Sequence, residues 1–220
     1  MTKKLATTTH PIHGVKHRGN GESGTMDESS RALKDGIAQS LAGLSTIESD
    51  IAALVRKTVA DALRLGGVSA GEMVNVVHHV VMGAIGAVEQ VGTGLTMSIK
   101  SVAKGIVMGV HDVGGDVVHA SAETLRSVIK HAAIVGSDVG VVAKRAVDGV
   151  IEATVDIGGN VAQVGKSAIE GAIEEAGTIG NMAVKTVRDV LSAIRSDLGE
   201  ASATPQHHAA AKKSHASKSH

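Results

Sequence analysis

Phenylalanine, tryptophan and tyrosine are all missing from this chain of 220 residues, although 43% of it is hydrophobic. Aromatic side chains bury about 150 to 250 Å² each and dominate ordinary cores and binding hot spots, so a compact enzyme domain is not expected. Valine, alanine, isoleucine and leucine supply the apolar surface instead, diluted by 27 glycines, a mixture suited to close approach of one backbone to another. Cysteine is also absent, which excludes disulfides, thiolate metal sites and a cysteine nucleophile. Charge of either sign is in balance, with 22 basic and 22 acidic side chains, so bulk attraction to nucleic acid or anionic lipid is not expected. Met1 to Thr9 holds two lysines with no apolar run behind them, unlike a secretory signal. No run of about 18 uncharged apolar residues occurs; the nearest, Met73 to Val88, carries His78 and His79. A cytoplasmic location is the default expectation.

What is present is a period. Glycine recurs every 22 residues at Gly92, Gly114, Gly136, Gly158 and Gly180, and a second column reads Gly83, Gly105, Ser127, Gly149 and Gly171. The chain is therefore read as a tandem repeat, clearest over residues 78–187. Apolar residues fall at unit positions 3, 4, 7, 8, 11, 14 and 18, so the unit reads as a doubled 11-mer. Eleven residues over three turns is about 3.67 per turn, which favours an α-helix with a right-handed supercoil. The predicted fold is all-α: a long amphipathic helix or helical hairpin with right-handed coiled-coil-like packing.

Three segments follow. Residues 1–24 are a polar leader containing His10, His13 and His17, too poor in apolar groups to offset chain entropy and expected to be disordered. Residues 25–198 form the helical region, opened by the capping-box pattern Thr25-Met26-Asp27-Glu28 and closed near Gly199, with Pro205 beyond it. Residues 199–220 are a second disordered tail rich in His, Lys and Ala.

One face carries Val147, Val150, Ile151, Ile169 and Ile173, and the glycine columns lie on it or along its border. Gly92, Gly114, Gly136, Gly158 and Gly180 sit at its centre, where position 4 holds Val81, Leu125, Val147, Ile169 and Leu191 in alternation. This places bulk against a gap on a neighbouring helix. Gly83, Gly105, Gly149 and Gly171 widen the contact surface. Because the apolar phase runs through Gly114-Gly115 and Gly158-Gly159, the helix is predicted to be continuous at these pairs, against the alternative that they are turns between short helices.

Nothing in the sequence assembles into a catalytic set. The terminal histidines, with His207, His208, His215 and His220 at the far end, lack the companions of a metal site. His78, His79, His111, His119 and His131 fall outside the apolar columns and are expected at ordinary exposed positions. Gly92-Thr93-Gly94 is too short for a phosphate loop. Lys212, Lys213 and Lys218 allow at most weak nucleic-acid contact through the tail. No metal, cofactor or enzymatic activity is expected.

The doubled 11-mer, with Lys-Ser-Ala-Ile-Glu-Gly-Ala-Ile at residues 166–173, resembles hendecad-repeat helical proteins: right-handed coiled coils and the amphipathic repeats of phasins, perilipins and apolipoproteins. The resemblance covers residues 34–198 in period and composition. It implies a non-enzymatic structural protein that self-assembles through Gly/Ala/Val faces into a homo-oligomeric bundle, fibre or sheath. The alternative it implies is a coat on a membrane, lipid droplet or polymer granule.

Overall fold

The computed structural model describes residues 22–91 and 95–203, and these are all-helical. Seven helices follow one another: α1 (Glu22–Gly66), α2 (Ala70–Val91), α3 (Leu95–Asp112), α4 (Val117–Ile134), α5 (Val139–Asp156), α6 (Val161–Ile179) and α7 (Asn181–Ala203). The chain divides into two compact units, Met1–Ser45 and Thr46–His220. The described part of the first is the beginning of α1. The second holds the rest of α1 and the other six helices.

The all-α expectation holds; the continuous helix does not. Helices α3 to α6 begin 22 residues apart, so one period is one helix and one turn. Gly114, Gly136 and Gly158 do not pack helix on helix. They are turn residues at φ 71°, 72° and 68°, and Gly180 also leaves the helical region at φ 144°. The reason is visible at Gly136. Its N–H donates to the Ala133 carbonyl at 3.2 Å, and the Ser137 N–H reaches back to the Ala132 carbonyl at 2.8 Å. This paired bonding closes a helix end and requires a left-handed residue, which glycine adopts without steric cost.

Two residues after each such glycine comes the cap of the next helix. Asp116 accepts from the His119 N–H, Asp138 from those of Gly140 and Val141, and Asn160 from that of Gln163. Each satisfies N–H groups that have no partner inside the helix. Asp138→Ala is accordingly expected to cost about 1–2 kcal/mol, read as a lowered urea midpoint in far-ultraviolet circular dichroism. An unchanged midpoint would show that the joint does not depend on its cap.

Other boundaries also differ from expectation. Helix α1 starts at Glu22, so Thr25 lies within it, and α7 runs through Gly199 to Ala203. Packing carries α7 that far, because Leu198 is buried against Gly165 of α6. Gly92, the rest of the leader and residues 204–220 lie outside the described residues.

Helices two apart in the chain pack side by side: α2 with α4, α4 with α6, α3 with α5 and α5 with α7. The part of α1 from Thr46 joins α3 in the same manner, through Arg56 and Asp112 at 2.6 and 2.7 Å. Two rows result, one of even and one of odd helices, with consecutive helices touching across them. The paired contacts advance together along both chains, Ala52 with Gly105 and then Arg56 with Gly109, so helices of one row run parallel.

The second glycine column lies at these contacts. A Cβ on Gly105 would come within 2.6 Å of the Ala52 carbonyl oxygen, and one on Gly171 within 2.5 Å of that of Ala122; Gly149 faces the Lys100 carbonyl in the same way. Ion pairs flank the approach: Lys104 reaches Glu152 and Asp156, each at 2.7 Å, and Arg126 reaches Glu174 at 2.5 Å. Between the rows lies the aliphatic core, with Val147 and Val150 fully buried, Ile169 at 2% exposure, and Ile151 and Ile173 partly buried against it. Thr124 and Thr154 are buried too, their hydroxyls donating to carbonyls four residues back, which removes the penalty of an unpaired polar group.

Candidate functional site

Every helix of the even row has a face toward the helix two places earlier, and α2 has no such neighbour. Its glycine of the second column, Gly83, would place a Cβ in open space with nothing within 4 Å. Gly83 is thus a helical residue whose close-approach position is unused. The uncovered face forms one wall of a groove of about 1030 Å³. From α2 come Val76, Val80, Gly83, Ala84 and Ala87; from α1 come Ile47, Ile51, Leu54 and Val55; Val102 of α3 also lines it. All belong to the second unit.

The chemistry of the groove is apolar with a short polar edge. Glu72, Asn75 and His79 line it beside Thr58 and Ser98, and His79 Nδ1 lies 2.7 Å from the Asn75 carbonyl oxygen. Leu54 is 67% exposed and Ile47 is 54% exposed, so large side chains stand open to water at its mouth. The opposite end of the rows contrasts with it: α7 presents Lys185, Arg188, Asp189 and Arg195 as exposed residues. A polar outer helix of this kind closes a repeat stack and keeps it soluble, whereas an apolar end calls for a neighbour.

Of the helix-packing residues singled out in the sequence, Gly83 is the one among the described residues that lines this groove, and His79 joins it from the interior histidines. Gly105, Gly149 and Gly171 lie at contacts inside the chain, and Gly114, Gly136, Gly158 and Gly180 lie in turns. Sequence reasoning missed Leu54, Val80 and Ala84 as site residues, since their exposure follows from which helix lacks a neighbour.

Of the interior histidines, His79 and His111 are exposed as expected, whereas His78, His119 and His131 are not. His131 of α4 and His78 of α2 are only partly exposed, and their rings face each other with centroids 5.0 Å apart. His131 Nε2 is buried without a hydrogen-bond partner. Burial pushes the His131 imidazole below its usual pKa, and the neighbouring His78 and Lys130 push it the same way.

Among the described residues no cluster of three or more His, Cys, Asp or Glu side chains could hold a metal ion, and no helix is long and apolar enough to cross a membrane. In comparisons with known proteins, no family model matches this chain, and no curated protein matches it. What is defined is an all-α protein with an apolar groove at one end of its helix rows.

Proposed function

We propose that this is a non-enzymatic structural protein, a tandem array of one-helix units of 22 residues, that self-associates through the open face of α2. The observation that carries the reading is Gly83: its column meets a neighbouring backbone at Gly105, Gly149 and Gly171 and meets nothing here. The Gly/Ala/Val faces of α3 to α6 are already occupied within the chain, so assembly into a homo-oligomeric bundle or sheath falls to the one left open. A helix backbone fits such a face because glycine allows it to approach closely.

Gly83→Leu tests this. In an isolated chain leucine improves helix propensity. In an assembled one it intrudes where a backbone must fit, at about 1–3 kcal/mol, which is about a 5- to 150-fold weakening of association. Sedimentation of wild type at micromolar concentration is expected to show an oligomer that Gly83→Leu dissociates while its helical signal persists. A monomeric wild type would overturn the proposal.

The alternative, a coat on a membrane, lipid droplet or granule, draws on the exposure of Leu54, Ile47 and Met82. It requires the opposite sign: added apolar area at residue 83 would strengthen vesicle binding.

A further inference from the structure

The contact of His78 with His131 sits at the only joint of the described even row where the glycine column is broken. Where α6 brings Gly171 to the carbonyl of Ala122 on α4, the residue of α4 in the same column is the buried Ser127. Serine carries a Cβ and cannot make the same approach. This joint is also the only row contact made by α2, because the other side of that helix is the open groove.

We propose that the His78–His131 pair is a pH-sensitive latch that holds α2 on α4 while the His131 ring is neutral and releases α2 when that ring is protonated. The geometry supplies attraction only for the uncharged state. Two imidazoles meet in a tilted contact at 5.0 Å and 40°, with His79 edge-on to His78 at 5.8 Å. A proton on the His131 ring finds no counter-charge among the described residues. From α2 the ring of His131 faces His78; from α4 itself comes Lys130, also cationic; and no carboxylate of α3, α5 or α6 contributes to its electrostatics. Glu174 of α6 is taken by Arg126.

The direction in pH follows from linkage. His131 is held below its ordinary value of 6.5 in the folded chain, so the released state binds more protons. The latch is fully engaged above about pH 6.5 and weakens as pH falls from there through the lowered folded value. The ion-paired carboxylates do not mimic this. Arg56 holds Asp112 below the ordinary carboxylate range, and Lys100 and Lys104 do the same for Glu152, so both stay ionised at pH 5. Losing α2 would also remove one wall of the groove, yet the release belongs to the single chain and is measured without any partner.

Hydrogen exchange followed by mass spectrometry tests the latch on the whole chain in the presence of a chelator. After correction for intrinsic rates, α2 amides are expected to open several-fold more at pH 5.0 than at pH 7.5. Amides of α5 and α6 should be steady. His131→Gln and His78→Gln should each flatten the response, and His119→Gln should keep it. If His131→Gln lacks native circular dichroism at pH 7.5, His78→Gln decides, since it leaves the buried ring in place. A wild type whose α2 protection is unchanged at pH 5.0, or an α2 response undiminished in His78→Gln, overturns the proposal.

Discussion

Gly149→Ala is expected to destabilise the protein by about 2–3 kcal/mol, although the same substitution in an open helix interior gains about 0.5–1 kcal/mol. The added methyl meets the Lys100 backbone, whose carbonyl carbon would lie at 3.0 Å and Cα at 3.2 Å, with the oxygen nearer still. A backbone cannot turn aside as a flexible side chain can, so α5 and α3 must move apart. That movement also stretches the pairs of Lys100 with Glu152 and of Lys104 with Glu152 and Asp156, now at 2.6 to 2.7 Å. Gly177→Ala on α6, with nothing within 4 Å of its Cβ, is the internal control and should stabilise. The pair is read by urea denaturation with circular dichroism, since the chain has no tryptophan or tyrosine for fluorescence. Equal midpoints for the two variants would refute the close-approach account.

Leu125→Ala should cost more, about 3–4 kcal/mol, within the range for large-to-small changes in a tight core. Leu125 is fully buried at 0% exposure, on a helix that contacts both α2 and α6. In a core without aromatic rings no neighbouring side chain is large enough to fill the gap by rotating, so the void persists. For a domain of this size the expected fall in melting temperature is about 6–16 °C. Leu65→Ala, at a site 91% exposed, should stay within about 0.5 kcal/mol of wild type. A Leu125→Ala variant that melts with wild type would mean that α4 is not the centre of the packing.

The helical class was legible in the sequence because apolar side chains recur at a helical spacing, and the bulky column at position 4 does lie inside: Val81, Leu125, Val147, Ile169 and Leu191 are all buried. The turns were not legible from that pattern. Twenty-two residues are six turns of a continuous 11-residue helix and equally one shorter helix with its joint, so unbroken phase does not distinguish them. The distinguishing signal was the capping column of Asp116, Asp138 and Asn160, two places after Gly114, Gly136 and Gly158. A left-handed glycine followed so closely by an N-cap residue is a helix stop and a helix start in sequence. The groove and the histidine contact depend on which helices become neighbours. Gly83 is indistinguishable in sequence from Gly105, and His131 lies outside the apolar columns. Only the pairing of helices two apart separates the open face from the filled one and brings residue 131 to residue 78.

That pairing has a consequence for how the protein is made. Among the contacts between helices, each joins a helix to the next one or the next but one, so everything a newly made segment must find was synthesised shortly before it. Contacts of such short range form quickly. A chain leaving the ribosome could therefore lay each helix onto a finished surface without waiting for its carboxyl end. Among the described helices α7 is laid last, with Lys185, Arg188 and Arg195 facing water, whereas the α2 end of the even row stays bare.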